Sequence, residues 1–288
     1  MNFAKLQGAG NDFVLIETSG VERDWSRLVV SVCERRFGIG ADGLILLMPS
    51  DVADYKMRIF NADGSEAEAC GNGLRCLVRY VLEKGLTSKR AKEFSVETIA
   101  GTRKTQITRT RGKRTEIRVS LGVPKFAPKD IPLVIGEGDS KLLDIKSMLG
   151  YTVTVAKQKL RLNFVSLGNP HAIHFSGQRV AGFPLTQLGP RVEHDKMFPQ
   201  RTNFEVARVL SRKQIEARVW ERGVGETLAC GSGAAAVAVA AQLNGLVDSS
   251  VGVRLPGGIL DVAWDGTGEV WLGGPAELVF TGKWSGKV

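Results

Sequence analysis

The stretch EAEACGNG at residues 66–73 recurs as ETLACGSG at residues 226–233, and this repetition decides how the rest of the sequence is interpreted. When Cys70 is aligned with Cys230, five of the eight positions are identical. Self-similarity of this kind indicates that one structural unit occurs more than once in the chain. The sequence therefore predicts two similar domains, each carrying one copy of the motif.

Each motif runs directly into an apolar stretch that is long enough for a helix. The first stretch is residues 74–82 and stops near Gly85, and the second is residues 234–243 and stops near Gly245. Glycine just past the last apolar residue is a common helix end. Because helices that are apolar on most faces are buried, we expect one buried helix at the centre of each domain.

Strand patterns surround both motifs. Asn11 precedes the apolar run 13–16, and Asn169 precedes the run 171–175, at nearly the same distance before the aligned cysteines. Short runs of apolar and β-branched residues indicate further strands, at residues 43–47, 56–60, 153–155, 216–220 and 260–264. We therefore predict an α+β fold in which the strands of each domain pack around its helix. The proline-bearing segment 122–132 is the best candidate for a linker.

Composition and cysteine usage narrow the class of protein. Of the 288 residues, 43% are hydrophobic and 24% are charged, as in ordinary globular proteins. No apolar run approaches the roughly 18 residues of a membrane span, and the N-terminus does not resemble a signal peptide. We therefore expect a cytoplasmic protein with no membrane partner. The cysteines should then be reduced thiols, and their spacing does not match paired zinc ligands, so no metal site is predicted.

The four cysteines divide into two pairs by their surroundings. Cys70 and Cys230 lie in the repeated motif, whereas Cys33 and Cys76 lie within apolar runs. A thiol in an apolar run behaves as a small hydrophobic side chain. We therefore assign Cys33 and Cys76 to the core.

The net charge of +9 is concentrated in one stretch. Seven basic residues lie between Arg103 and Arg118, in an alternating pattern that pivots on residues 111–113, as in a β-hairpin with one solvated face. A non-catalytic nucleic-acid-binding protein is one alternative that such a stretch allows. No aromatic residues are interspersed among the basic ones, so the stacking surface of a single-strand binder is missing. We expect no nucleic-acid partner.

A cysteine at the start of a buried helix is suited to acid/base chemistry. Helix N-termini present N–H donors that bind carboxylates, and they lower the pKa of a cysteine placed there. Two such cysteines on opposite faces of one tetrahedral carbon can remove a proton from one face and deliver one to the other. One is then thiolate and the other thiol, and their titration is coupled. The repeated motif thus predicts a cofactor-independent amino-acid epimerase with Cys70 and Cys230 as the acid/base pair.

The motifs and their flanking residues resemble the two signatures of the diaminopimelate epimerase family. The first signature corresponds to residues 61–76 and the second to residues 221–233; shorter matches are residues 8–13, 97–101 and 168–172. This family interconverts LL- and meso-diaminopimelate, for lysine and peptidoglycan precursor synthesis, without pyridoxal phosphate, metal or nicotinamide. The resemblance implies the same isomerase activity here, with no cofactor.

The resemblance also implies roles for the residues around the cysteines. Those whose backbone amides would hold the reacting carboxylate are Gly71, Asn72, Gly231 and Ser232. His171 and Glu221 would tune the protonation of the cysteines. The positions that would contact the rest of the substrate are Asn11, Asn61, Asn169, Asn203, Glu221 and Arg222. The guanidinium of Arg222 would donate two parallel hydrogen bonds to the carboxylate at the non-reacting end of the substrate. Glu221 and the asparagines would bind the ammonium group at that end.

The family architecture implies two pseudo-symmetric domains, each a mostly antiparallel sheet wrapped around its central helix, with the active site in the cleft between them. The predicted domains are residues 1–128, joined by the tail 275–288, and residues 129–274. We also expect a homodimer, although Phe280 stands where some members have a tyrosine at the dimer contact.

Other functions fit part of the sequence. A proline racemase or hydroxyproline epimerase of the same superfamily tends to have His and Thr where this chain has Asn72 and Ser232. A cysteine-nucleophile hydrolase with His171 as its base would leave the repeated motif unexplained. Apart from the resemblance, a structural role in turns is the favoured interpretation of Asn169 and Asn203.

Overall fold

The computed structural model describes residues 1–19, 23–68, 70–87, 92–111, 114–134, 148–155 and 158–286. Strands dominate these residues and four α-helices accompany them, which confirms the predicted α+β class. None of the helices in these ranges is long and apolar enough to cross a membrane. The chain divides into two compact units, Met1–Ser120 with Gly273–Val288, and Leu121–Leu272.

The first unit contains the first ten elements of the chain and its last strand. The elements are β1 (Asn2–Gly8), β2 (Asn11–Glu17), α1 (Trp25–Cys33), β3 (Gly43–Met48), β4 (Tyr55–Asn61), β5 (Glu66–Ala67), α2 (Gly71–Lys84), β6 (Glu93–Thr98), β7 (Gly101–Arg111), β8 (Arg114–Ser120) and, from the C-terminus, β17 (Trp271–Lys283).

The strands of this unit form a closed ring around α2. The ring order is β17, β1, β2, β3, β4, β6, β7 and β8, and β8 also pairs with β17. The β2–β3 and β4–β6 pairs are parallel, whereas β1 is antiparallel to both of its neighbours. Closure pairs the strands that would otherwise be edges. Helix α2 contacts β1, β2, β3, β4, β7 and β8, as a helix at the centre of the ring must.

Strands β2 and β3 are buried on both faces because each face is covered by a helix. On the outer face, Val14 and Leu44 pack in one cluster with Leu28 of α1. On the inner face, the Ile45 side chain lies against Gly73 in the first turn of α2. Continuous apolar runs, rather than alternating ones, are what a strand covered on both sides requires.

The second unit contains the remaining elements. They are β9 (Tyr151–Val155), β10 (Gln158–Ser166), β11 (Pro170–Phe175), α3 (Leu185–Glu193), β12 (Asn203–Ser211), β13 (Gln214–Glu221), β14 (Gly225–Thr227), α4 (Gly231–Leu243), β15 (Ser250–Leu255) and β16 (Gly258–Ala263).

The two units repeat the same strand order. Strands β1, β2, β3, β4, β6 and β7 pair in the sequence antiparallel, parallel, antiparallel, parallel, antiparallel. Strands β10, β11, β12, β13, β15 and β16 pair in the same sequence. Even a surface ion pair recurs, because Arg58 binds Glu66 at 2.6 Å and Arg218 binds Glu226 at 2.7 Å. The pseudo-symmetric fold expected from the motif is confirmed.

Both predicted buried helices are confirmed, and each begins earlier than its apolar run. Helix α2 runs from Gly71 to Lys84, and its C-cap residue, Gly85, has a left-handed φ of 63°. Helix α4 starts at Gly231, and the structure places nearly all of its residues in the core. Cys33 and Cys76 are also buried, as expected.

Helices α1 and α3 were not predicted. Each is nine residues long and connects two parallel strands, β2 to β3 and β11 to β12. A parallel pair needs a crossover connection, and a helix is its usual form. Pro190 lies inside α3 and conceals the helical pattern in the sequence.

Segment 122–132 is more ordered than a free linker. Lys125 and Ser166 form a two-way backbone bridge at 2.9 Å, and residues 128–130 make a 3₁₀ turn. The predicted basic hairpin corresponds to β7 and β8, but its turn residues 112 and 113 lie outside the described residues. The domain bounds 1–128 with 275–288 and 129–274, taken as independently folding segments, stay a prediction.

Candidate active site

Each repeated cysteine is the N-cap residue of its central helix. Cys70 is extended, with φ −144° and ψ 118°, and its Sγ accepts a hydrogen bond from the Gly73 amide at 3.4 Å. Cys230 has φ −115° and ψ 116°, and its Sγ accepts from the Gly233 amide at 3.4 Å. The residue that follows each cysteine is therefore the first residue of a helix, where the backbone N–H groups have no acceptor within the helix. Ala69, which precedes Cys70, lies outside the described residues.

The first half of the site is organised around Asn72, which is 1% exposed. Its Nδ2 donates to Oδ1 of Asn11 at 3.1 Å, and its Oδ1 accepts from Nη2 of Arg75 at 2.7 Å. Asn11 in turn donates through Nδ2 to Oδ2 of Asp42 at 2.8 Å. The orientations of both predicted asparagines are thus fixed by a chain of hydrogen bonds.

Asn61 belongs to a separate, local set of hydrogen bonds. It is the last residue of β4 and is exposed, and its Nδ2 donates to the Ser65 hydroxyl at 2.9 Å. Ser65 is held by Asp63, which accepts from both its amide and its hydroxyl. The turn that follows β4 therefore orients the Asn61 side chain.

The second half of the site is a continuous hydrogen-bonded chain that ends at Cys230. Oε1 of Glu205 lies 2.7 Å from Nδ1 of His171, and Nε2 of His171 lies 3.0 Å from Oδ1 of Asn169. Asn169 then donates to the Ser232 hydroxyl at 3.5 Å, and Oγ of Ser232 lies 3.6 Å from the Cys230 sulfur. These hydrogen bonds bring together four predicted site residues, and Glu205 adds a fifth group.

Glu205 and His171 form a buried pair at the start of this series of hydrogen bonds, and both side chains are fully buried. Burial raises the pKa of the Glu205 carboxyl, although the charge of His171 and its hydrogen bond oppose this shift.

Glu221 adds a carboxyl group beside Cys230. It accepts a hydrogen bond from the Thr227 hydroxyl. Burial raises the pKa of the Glu221 carboxyl, although hydrogen bonds from Thr227 and Cys230 oppose this shift. Burial also raises the pKa of the Cys230 thiol well above its ordinary value, and the charge of Glu221 adds to the effect.

The expectation that a helix N-terminus lowers the cysteine pKa is therefore wrong for Cys230 in this structure. The Gly233 amide and the Ser232 hydroxyl do lower the pKa of the thiol, but burial and the neighbouring carboxyl groups outweigh them. Desolvation penalises the charged thiolate more than two weak hydrogen bonds to sulfur favour it.

Asn203 and Arg222 lie together at the end of this half-site. Asn203 donates to the carbonyl of Pro170 at 2.8 Å and accepts from the Arg222 amide at 2.9 Å. The Arg222 side chain is exposed, with Nη1 3.3 Å from the carbonyl of Gln200. Asn203 therefore holds the backbone from which the Arg222 guanidinium extends.

Three buried charged residues near the site were not predicted from the sequence: Arg75, Glu193 and Glu205. Glu193, 3% exposed, accepts from the Gly223 amide and from Trp220 Nε1, both at 2.8 Å, and so supports the turn that carries Arg222. For Arg75 and Glu205 the available signal is a charged residue within an apolar run, which is uncommon unless it is paired. Within the described residues, no cluster of His, Cys, Asp and Glu that could hold a metal ion is found.

Comparison with known protein families gives one match over most of the chain. The family model described as diaminopimelate epimerase matches residues 3–127 and 163–279. The diaminopimelate epimerase of Moorella thermoacetica is 46% identical over 285 residues, with 98% of each chain covered. That of Halothermothrix orenii is 42% identical over 286 residues, covering 98% of this chain and 97% of the relative.

Solved structures share the fold at low sequence identity. A probable proline racemase from Agrobacterium radiobacter has a TM-score of 0.72 at 14% identity, covering 99% of this chain and 92% of that one. A phenazine biosynthesis protein of the PhzF family from Bacillus anthracis has a TM-score of 0.70 at 17% identity, covering 98% of both chains. At these identities the likeness extends to the fold alone.

Proposed function

This chain belongs to the diaminopimelate epimerase family, and on that premise we propose that Cys70 and Cys230 are the two acid/base groups of its isomerase reaction. The reaction interconverts LL- and meso-diaminopimelate. The observation that carries the proposal is the repeated geometry of the two cysteines, each an N-cap residue with its sulfur 3.4 Å from the third amide of a buried helix. A mechanism with a single base would have no use for the second copy.

The proposed reaction moves two protons and needs no other group. The thiolate of one cysteine removes the proton from the α-carbon, and the electron pair that remains is delocalised into the adjacent carboxylate. The thiol of the other cysteine then delivers its proton to the opposite face of the carbon. Each turnover leaves the two cysteines with exchanged protonation states, so the same pair serves both directions.

The amides at the two helix starts are suited to the charge that develops in this reaction. As the α-proton leaves, negative charge accumulates on the reacting carboxylate. We assign its binding to the backbone amides of Gly71, Asn72, Gly231 and Ser232. N–H groups and the positive end of a helix dipole stabilise such a charge without reorganisation.

The distal end of the substrate carries a second carboxylate and a second ammonium group. We assign the carboxylate to the exposed guanidinium of Arg222, which offers two parallel N–H donors. We assign the ammonium group to Glu221 and to the side-chain oxygens of the site asparagines, Asn11, Asn61, Asn169 and Asn203. The side-chain oxygen of buried Asn203 accepts a hydrogen bond from the backbone amide of Arg222, at 2.9 Å, and so supports this residue.

His171 and Glu221 are assigned to tuning the proton affinity of the cysteines. His171 connects to Cys230 through Asn169 and Ser232, and Glu221 raises the pKa of the Cys230 thiol by its charge. We propose further that the enzyme is cytoplasmic, acts as a homodimer without metal or organic cofactor, and has no nucleic-acid or membrane partner. Its product enters lysine and peptidoglycan precursor synthesis.

A proline racemase-like activity is the alternative, and the site residues do not favour it. A substrate with one carboxylate and no distal amino-acid group would leave Arg222 without a function. The likeness to the Agrobacterium radiobacter protein concerns the fold and does not carry that protein's activity over to this chain.

The proposal is tested by incubating the reduced protein with LL-diaminopimelate, without added cofactor, and following the meso isomer by chromatography. Cys70→Ala and Cys230→Ala are expected to lose epimerisation while keeping the fold. Cys76→Ala is the matched control, because this thiol lies in the same helix as Cys70 but is fully buried, and it should stay active. Full activity in either of the first two variants would overturn the assignment of the acid/base pair.

A further inference from the structure

The two half-sites can be compared position by position, because their strands have the same register. In β2 and β3, Leu15 is opposite Ile45, and in β11 and β12, Ile173 is opposite Glu205. A methyl group added to Gly73 would lie 3.4 Å from Ile45 Cδ1, and one added to Gly233 would lie 2.9 Å from Glu205 Oε1. Ile45 and Glu205 therefore occupy equivalent places behind the start of each central helix.

A second pair of equivalent positions also differs in charge. Arg75 and Ala235 each lie five residues after the N-cap cysteine of their helix, and both are 0% exposed. The first half-site thus has a buried arginine and an isoleucine at these two positions. The second has an alanine and Glu205, which is hydrogen-bonded to His171. The second half-site also has the carboxyl of Glu221 close to its cysteine. The two cysteines occupy similar backbone positions in opposite electrostatic surroundings.

We propose that Arg75 is a positioning residue of the first half-site, which orients Asn72 and makes Cys70 rather than Cys230 the thiolate of the substrate-free protein. The consequence for catalysis rests on the proposed function, in which Cys70 is one of the two acid/base groups. The electrostatic difference between the two thiols is a property of the protein whether or not that function holds.

The orienting role follows from the donors of Arg75. A guanidinium only donates hydrogen bonds, so the Asn72 atom at 2.7 Å must be the side-chain oxygen. The Asn72 Nδ2 then faces Asn11, at 3.1 Å from its Oδ1. Removing the guanidinium would take away the hydrogen bond that directs the Asn72 Nδ2 towards Asn11, a residue assigned to the substrate.

The electrostatic role follows from what surrounds the guanidinium. Among the described residues, neither Nε nor Nη1 of Arg75 has a hydrogen-bond partner. The ionisable groups whose charges interact with it are Cys76, Cys70 and Glu116. Burial raises the pKa of the Cys76 thiol to about 12, so this neighbour is neutral. Glu116 and Cys70 are the remaining acidic groups that interact with the guanidinium. A thiolate at the partly buried Cys70 would be attracted to this fully buried cation.

The test measures alkylation of each thiol by iodoacetamide over a range of pH, without substrate, with the labelled peptides quantified by mass spectrometry. Only thiolates react, so the pH midpoint of labelling reports the ionisation of each thiol, whereas the rate also depends on access, and Cys230 is more buried than Cys70. In the unaltered protein we expect the labelling midpoint of Cys70 to lie at lower pH than that of Cys230. In Arg75→Met, which keeps the volume of the side chain but removes the charge, we expect Cys70 labelling to slow by about tenfold or more, as for a pKa rise of at least one unit.

Two further variants separate charge from packing. Arg75→Lys keeps the cation and should retain most of the Cys70 labelling rate, while Arg79→Met removes a cation one turn further along α2, paired with Glu83, and should leave labelling unchanged. The KM for diaminopimelate should rise in Arg75→Met because Asn72 loses the hydrogen bond that orients it towards Asn11. Unchanged Cys70 labelling in folded Arg75→Met would overturn the proposal.

The comparison within the unaltered protein guards against a variant that does not fold. If the labelling midpoint of Cys230 lies at lower pH than that of Cys70 there, the proposal is wrong whatever the variants do. Labelling needs no substrate, so these outcomes are distinct from a failure of the proposed function. Absence of epimerisation by unaltered, reduced protein would overturn the function and leave the labelling result standing.

Discussion

At the scale of single residues, the pKa of Cys230 is set more by burial and by neighbouring side chains than by the helix that this residue caps. Burial raises its pKa, and the charge of Glu221 is the next contribution. The Ser232 hydroxyl and the Gly233 amide act in the opposite direction and do not compensate. The acid/base character of this thiol therefore depends on the neighbouring Glu221 carboxyl as well as on burial.

Replacing Glu221 by Gln tests this directly. The variant removes the charge that raises the pKa of Cys230 while keeping a similar volume. We expect the midpoint of Cys230 alkylation to move to lower pH, and the rate at a fixed pH below that midpoint to rise about tenfold if the midpoint falls by one pH unit. A midpoint that stays in place, or moves to higher pH, would show that burial alone controls this thiol. Thr227→Val, which removes only the hydrogen bond to Glu221, is a suitable comparison.

The buried thiol of Cys76 predicts how stability changes with pH. Burial raises its pKa from 9.0 to about 12. Below about pH 9 both the folded and the unfolded chain keep this proton, and the stability is complete. Between pH 9 and 12 the unfolded chain releases the proton and the folded chain retains it, so the free energy of unfolding falls as pH rises.

Cys76→Ala should reduce that fall. Without this thiol, the free energy of unfolding is expected to fall less steeply, by about 1.4 kcal/mol per pH unit. Urea unfolding at pH 8 and at pH 10.5 measures the slope in both proteins. Identical slopes would mean that the Cys76 thiol ionises as easily in the folded chain as in the unfolded one.

At the scale of elements, α2 needs glycine at both ends for different reasons. Gly85 at its C-terminus is left-handed, with open space around a hypothetical side chain, whereas a methyl group added to Gly73 would lie 2.9 Å from Ile59 Cδ1. Gly85→Ala should therefore cost about 1 kcal/mol of stability through backbone strain alone. Its kcat should be unchanged.

Gly73→Ala is the informative partner. Its methyl group must displace Ile59 or move the first turn of the helix, so we expect a loss of activity larger than the loss of stability. Urea denaturation and steady-state kinetics on both variants separate the two effects. Equal behaviour of the two glycine variants would contradict the view that the start of α2 is a catalytic surface and its end is not.

The turn that carries Arg222 depends on Glu193 of α3. Because this carboxyl accepts from Gly223 and Trp220, Glu193→Ala should free the turn and raise the KM for diaminopimelate by about tenfold, roughly the value of one or two hydrogen bonds to a charged group. Glu216→Ala, on the same strand as Trp220, is the control and should change neither KM nor kcat. A higher KM in both variants would remove the special role of Glu193.

Sequence patterns predicted the elements that carry the chemistry better than those that connect them. Both central helices, their N-cap cysteines and the strands beside them follow from local signals of periodicity and glycine placement. Helix α1 was missed because a short apolar segment is ambiguous between strand and helix, and α3 was missed because Pro190 interrupts its helical pattern. Each of these helices is required because the strands on either side of it pair in parallel, and no local sequence pattern shows that pairing.

At the scale of the whole molecule, duplication explains what could be predicted about the site and what could not. Residues that repeat, such as the cysteines and their glycines, stand out when the two halves are aligned. Arg75 and Glu205 differ from their counterparts, Ala235 and Ile45, so no repeat marks them. Their importance is visible only once strand register places Glu205 beside Gly233, and once burial leaves Arg75 without solvent.

The central claim is that two different thiols exchange protons with one α-carbon, and the deuterium content of the product tests it most directly. Reduced protein is mixed with LL-diaminopimelate in deuterated water, and the reaction is stopped at low conversion. Thiol protons exchange with solvent, so we predict that the meso product carries deuterium at the inverted carbon while the unreacted LL isomer keeps its proton. Product that retains the substrate's own α-proton would show that a single group carries the proton across, and would contradict the two-thiol mechanism.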